Sequence, residues 1–155
     1  MTADSSYRGG DLEAVEVKPN RAEKPGQETI LLLEDDRMVR SVASRILTAR
    51  GYRVLEASEP QRALEIGRRT RTPIDLFLTD VMLPGMSGPE AAKQIRALHP
   101  SVRLLFMSGY TDTAIEASGL LHEHSSFLGK PFTRTSLCEK VQEALEGQPQ
   151  TESEI

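Results

Sequence analysis

The feature that most constrains this chain is a fivefold alternation of short apolar runs with amphipathic stretches of helical period. The runs are Ile30 to Leu33, Tyr52 to Leu55, Ile74 to Thr79, Val102 to Met107 and the weak Phe127 to Leu128. Each is too short for an ordinary helix, and several are bounded by Gly or Pro, so they read as strands. Strands alternating with helices imply a parallel sheet, because each right-handed crossover needs a helix to return the chain, and the helices then cover both faces. With no Trp and only 5% aromatic residues, the core must be built from Leu, Ile, Val and Ala, which suits such a sheet. At 155 residues the chain has room for one domain.

The helices carry their own punctuation. Val39, Val42, Ala43, Ile46 and Leu47 stand at helical spacing, and Gly51 offers a left-handed stop. Ser58 with Gln61 predicts a capping box for a second helix that ends before Pro73. Pro89, with Ala92, Ile95 and Leu98, marks a third helix closed by Pro100. A short fourth is expected from Asp112 to Leu121, and Thr133 is placed to cap a fifth whose buried stripe is Leu137, Val141 and Leu145. Residues 1–27 are polar, lack a sustained apolar period and read as a flexible leader or linker; 147–155 read as a flexible tail. The ordered domain is expected over residues 28–146.

Charge and composition exclude several functions. A net charge of -4, with both signs mixed along the chain, provides no basic stripe for direct nucleic-acid binding. No apolar run approaches the roughly 18 residues that span a bilayer, so no membrane contact is expected and the cytoplasm is the default location. The lone Cys138 cannot form an internal disulfide or a zinc cluster; beside the last helix's apolar stripe it reads as packing rather than as a redox sensor. His99, His122 and His124 lie in or beside helix ends and read as surface residues.

In open parallel sheets ligands bind beyond the carboxyl ends of the strands, where strand order reverses. Those ends carry Glu34, Asp35 and Asp36 after the first strand, Asp80 after the third, Ser108 after the fourth and Lys130 after the fifth. Carboxylates from two strand ends are the hard oxygen ligands that Mg²⁺ takes when it also binds phosphate. A hydroxyl and an ammonium complete a pocket for the oxygens of a phosphoryl group in transfer. Plainer roles compete: Asp35 or Asp36 as a helix cap, Asp80 as a turn former before Pro84 and Gly85, Ser108–Gly109 as a turn, Lys130 as a solvated cation. Asp36 is read as a first-turn residue only.

The segments LLLEDD, LTDVMLPGMSG, FMSGY and FLGKPF, in that order, resemble the signature segments of response-regulator receiver domains. The resemblance covers about residues 29–146 and implies a flavodoxin-like, doubly wound α/β fold: a five-stranded parallel sheet of order 2-1-3-4-5 with five helices. It implies that Asp80 is the phosphoacceptor nucleophile. Asp35 would be a direct Mg²⁺ ligand, Glu34 a ligand through water, and the backbone carbonyl of Met82 a further ligand. Ser108 matches the switch hydroxyl, Lys130 the phosphate-pairing cation, and Phe127 the switch aromatic, here without a hydroxyl. A cis peptide between Lys130 and Pro131 is implied as well. Met82 and Tyr110 flank the water path to the phosphorus, and neither offers an acid or amide, so slow self-hydrolysis is expected.

The implied role is a signalling phosphoacceptor, not an enzyme acting on a separate substrate. The implied partners are a sensor histidine kinase or a histidine phosphotransfer protein, with a downstream effector protein reading the face made by the fourth helix, fifth strand and fifth helix; a weak homodimer is compatible with this. The wording MSGYTD and FLGKPF is similar to that of hybrid-kinase receivers, and both a free-standing and a kinase-linked arrangement fit. Three rivals are open to discrimination. A haloacid-dehalogenase-like phosphatase needs an acid where Met82 stands, a flavin binder needs a Gly, Ser and Thr-rich loop where EDDRMV stands, and a pseudo-receiver would lack phosphoryl acceptance.

Overall fold

The computed structural model describes residues 28–109 and 126–147. Five parallel strands, β1 (Thr29–Leu33), β2 (Arg53–Ala57), β3 (Leu76–Asp80), β4 (Arg103–Ser108) and β5 (Ser126–Gly129), form one sheet of order β2-β1-β3-β4-β5. Among the described residues there are four helices: α1 (Arg37–Ala49), α2 (Pro60–Arg69), α3 (Gly88–Leu98) and α4 (Arg134–Glu146), the last being the expected fifth. The helix expected over 112–121, Tyr110, His122, His124, the leader and the tail beyond Gly147 lie outside the described residues.

Strand residues alternate between faces, so each strand feeds two cores. Ile30, Leu32, Leu76, Leu78, Leu105 and Met107 pack under α1 and α4 with Ala43, Leu47, Leu137, Cys138 and Val141. Leu31, Leu33, Phe77, Leu104 and Phe106 pack under α2 and α3 with Ala63, Leu64, Ala91, Ala92 and Ile95. β1 and β3 are buried on both faces, which is why they read as unbroken apolar runs. Each fully buried Leu or Phe contributes about 1.5–3 kcal/mol relative to exposure. Cys138 is core packing, as its sequence position suggests.

The helix starts explain the loop geometry. The Asp36 carboxylate accepts the Val39 N–H at 3.0 Å and caps α1, while Gly51 turns the chain at φ 97°. Ser87 and Glu90 form a reciprocal capping box on α3, and Thr133 and Ser136 do so on α4. The Ser58–Gln61 box does not form. Glu59 is the N-cap of α2, without a side-chain bond, because Pro60, whose ring sets φ and which has no N–H to satisfy, occupies the first helical position. Val42 and Leu98, which stand at helical spacing in the sequence, lie in α1 and α3 as that spacing predicts but are exposed by 45% and 42%. His99 is no free surface residue: its Nδ1 accepts the Ile74 N–H at 3.3 Å and its Nε2 donates to the Gly67 carbonyl at 2.9 Å. Among the described residues, no helix is long and apolar enough to cross a membrane.

Candidate functional site

Sheet register assembles the site. Leu33 pairs with Thr79, so Glu34 and Asp80 leave the sheet side by side; Asp80 pairs with Met107, so Ser108 follows at the next step; Ser108 pairs with Gly129, so Lys130 follows there. The Lys130 ammonium donates to Glu34 Oε1 and to Asp80 Oδ2, each at 3.2 Å. Carboxylate oxygens of Glu34, Asp35 and Asp80 lie within 4.8 Å of one another. The Glu34 side chain is 1% exposed and that of Asp80 12%, whereas Asp35 faces solvent. Ser108 is buried, and its carbonyl accepts the Lys130 N–H at 2.9 Å. The Lys130–Pro131 bond is cis.

The remaining expected site residues surround this cluster. Met82 stands two residues beyond Asp80 and is 57% exposed. Phe127 is half-buried in β5, its ring centroid 6.1 Å from that of Phe106. Tyr110 lies outside the described residues. A groove of about 580 Å³ opens beside Asp35, bordered by Glu59, Pro60, Pro84 and Met86, so the carboxylate edge is reachable from solvent.

The electrostatics of the cluster show what it lacks. Burial, the largest effect, pushes the Asp80 carboxyl above its ordinary value; Lys130 pulls it down and Asp35 adds to the rise. Glu34 is likewise raised by burial, against the Asp36 N–H at 2.9 Å and the Lys130 ammonium, with the Asp80 charge adding to the rise. For Lys130 burial favours the neutral amine, yet the Asp80 and Glu34 carboxylates outweigh it and hold the ammonium above its ordinary value. The two directions are compatible because one ammonium is shared by two carboxylates, with the Asp35 carboxylate close by. The ammonium gains from Glu34 and Asp80 together, and neither of these two carboxylates is fully compensated by it. Hard oxygen donors with an excess of negative charge fit a hard divalent cation bound through a few carboxylates and water.

Three supports of the site were not foreseen from sequence. Gly88 opens α3 directly beneath Asp80: a Cβ there would overlap the Asp80 backbone carbonyl, and the Gly88 N–H closes the loop by donating to the Val81 carbonyl at 2.8 Å. The glycine stands inside the quoted LTDVMLPGMSG segment, but its reason is a contact between elements. The buried Thr79 hydroxyl donates to the same Asp80 carbonyl at 3.1 Å. Arg40 reaches back from α1 to the Glu34 carbonyl at 2.8 Å.

Comparison with known proteins agrees with this geometry. The family model for the response regulator receiver domain matches residues 30–142. The chain is 36% identical over 142 residues to the Sensor kinase CckA of Brucella abortus, a match covering 89% of this chain and 15% of that kinase. It is 29% identical over 116 residues to the Response regulator receiver protein CpdR of the same species, covering 75% of this chain and 95% of CpdR. The crystal structure of the receiver domain from the hybrid histidine kinase CckA superposes with a TM-score of 0.65 at 38% identity, covering 76% of this chain and 99% of that one. Fold, strand-end site and family match converge: this chain belongs to the response regulator receiver family and is a receiver domain of two-component signalling.

Proposed function

We propose that this receiver accepts a phosphoryl group from a phosphohistidine onto Asp80, with Mg²⁺ as cofactor, and signals through the resulting change of surface. The observation that carries the reading is the cluster itself: Asp80 and Glu34 share the Lys130 ammonium at 3.2 Å, and Asp35 completes a three-carboxylate site. An Asp80 oxygen attacks phosphorus in line, the phosphorus–nitrogen bond breaks, and its electron pair returns to the donor imidazole, leaving a mixed anhydride on Asp80. When bound, Mg²⁺ supplies positive charge to the phosphoryl oxygens; Asp35, Asp80, Glu34 through water and the Met82 carbonyl would hold it.

Lys130 loses its carboxylate partner on Asp80 as the anhydride forms and turns to the new phosphoryl oxygens. Ser108, buried one step along the sheet, donates its hydroxyl to another, and its movement frees space for the half-buried Phe127 to turn inward. Phosphate thus favours one of two arrangements of the face that includes β5 and α4. The domain promotes its own phosphorylation and its slow hydrolysis, and acts on no separate substrate.

Receiver domains work with histidine kinases or phosphotransfer proteins. The kinase-linked reading draws support from the extent of the CckA alignment, which takes in 89% of this chain where the CpdR alignment takes in 75%. The test is incubation with acetyl phosphate and Mg²⁺. One acid-stable, hydroxylamine-labile phosphoryl group per chain is expected, lost when Mg²⁺ is chelated. A phosphate that survives hydroxylamine would overturn the acyl phosphate.

A further inference from the structure

Glu34 is held at all its polar groups. Its N–H donates to the Ala57 carbonyl at 3.1 Å, its Oε2 accepts the Asp36 N–H, its Oε1 accepts Lys130, and its backbone carbonyl accepts Arg40 Nη1 at 2.8 Å. Arg40 is itself fixed. Its Nε lies 3.6 Å from Glu56 Oε1 on β2, and the other oxygen of Glu56 accepts the Ser44 hydroxyl at 2.7 Å. The Arg40 side chain is only 19% exposed, unlike the solvated pairs along the helix surfaces.

We propose that Arg40, steadied by Glu56 and Ser44, is a positioning residue for the acidic pair: it fixes the Glu34–Asp35 peptide and thereby sets how tightly the carboxylate cluster holds its divalent cation. The peptide unit is planar, so holding the Glu34 carbonyl also orients the Asp35 N–H and Cα, and with them the carboxylate of Asp35. A guanidinium can span a carbonyl and a carboxylate at once with its rigid fork; a lysine ammonium is a single point and cannot. Partners that orient metal ligands typically carry 10- to 100-fold in affinity, although they never touch the ion. The sign of the effect separates positioning from plain electrostatics. Removing a positive charge near a cation site would by itself tighten Mg²⁺ binding, whereas losing the anchor loosens it.

The inference rests on reading Glu34, Asp35 and Asp80 as the Mg²⁺ site, and the experiment tells the two apart. Mg²⁺ is titrated calorimetrically into the full chain without a phosphodonor, for wild type, Arg40→Ala, Arg40→Lys and Glu56→Gln, with circular dichroism to verify folding. Arg40→Ala is expected to weaken Mg²⁺ binding about tenfold, Arg40→Lys by a similar factor despite its retained charge, and Glu56→Gln by about threefold. In acetyl phosphate labelling, the Mg²⁺ concentration for half-maximal rate should rise by the same factors while the rate at saturating Mg²⁺ changes less than about twofold. If Arg40→Ala does not fold, Arg40→Lys and Glu56→Gln decide. Folded Arg40 variants that bind Mg²⁺ as tightly as wild type, or more tightly, overturn the positioning role alone. A wild-type chain that takes up no Mg²⁺ overturns the metal site and the inference together.

Discussion

Asp75 and Asp80 bracket the same strand and do opposite work. At the entry to β3, Asp75 accepts the Thr29 N–H at 2.8 Å with its carboxylate, while its backbone N–H donates to Thr29 and its carbonyl accepts Arg103. It ties β1, β3 and β4 together at their amino ends. At the exit, Asp80 is surrounded by other carboxylates and one shared ammonium, and its carboxyl is raised by burial. A carboxylate answered by a backbone donor is suited to a structural role; one crowded by its own kind is suited to holding a cation, as the proposed function requires. The same residue type, on one strand, is assigned its role by what the sheet register places beside it.

The largest expected effects come from exchanging those roles. Asp80→Asn should abolish phosphoryl incorporation, whereas Asp75→Ala should leave it intact and cost about 1–3 kcal/mol of stability by stranding the Thr29 N–H; radiolabelled acetyl phosphate and urea melts read the two outcomes. Phosphorylation lost in Asp75→Ala that remains folded would break the comparison. Next comes the shared ammonium. Lys130→Ala should slow phosphorylation by about a hundredfold, the scale of losing one oriented donor at a site of developing charge. Stopped-time labelling at saturating Mg²⁺ measures it, and a loss under threefold would remove Lys130 from the mechanism.

A smaller effect concerns the exit side chain. Met82, largely exposed, offers no group to hold a hydrolytic water. Met82→Asn should hasten phosphate loss about tenfold, equivalent to about 1.4 kcal/mol off the barrier. Decay of label after donor removal is the readout, and an unchanged half-life contradicts the argument. The smallest effect is on pH. Asp80 and Glu34 have folded values raised above their ordinary 3.8 and 4.5, so the folded state holds their protons more tightly than the unfolded chain does. Their contribution to stability is full below those values and is lost as pH rises through the raised ones. In metal-free buffer, therefore, the stability of wild type relative to Asp80→Asn should fall as pH climbs above 3.8, and Mg²⁺ should flatten the fall. Thermal melts across that window, with and without chelator, test the sign.

The division of labour between the two ends of β3 was half legible in the sequence. Asp80, Glu34 and Lys130 stood out because polar residues that close buried apolar runs can only emerge at the strand exits, and the alternating pattern placed those exits on one edge. Asp75 did not stand out, because a backbone partner 46 residues away leaves no local trace. The same reason hid Arg40, Gly88 and the bridging His99: each is defined by a contact between elements. Misreadings arose where local rules competed. Ser58 obeys the capping pattern, but Pro60 is the stronger helix starter.

The central claim is that the phosphoryl group resides on the carboxylate of Asp80, and borohydride tests it most directly, because it reduces an acyl phosphate to the alcohol and leaves free carboxylates untouched. After phosphorylation with acetyl phosphate and Mg²⁺, reduction and proteolysis should yield homoserine in place of Asp80 in the peptide carrying LTDVMLPG. Homoserine in place of Asp35 or Asp36, or a phosphorylated chain with no reduced residue at all, would contradict the account.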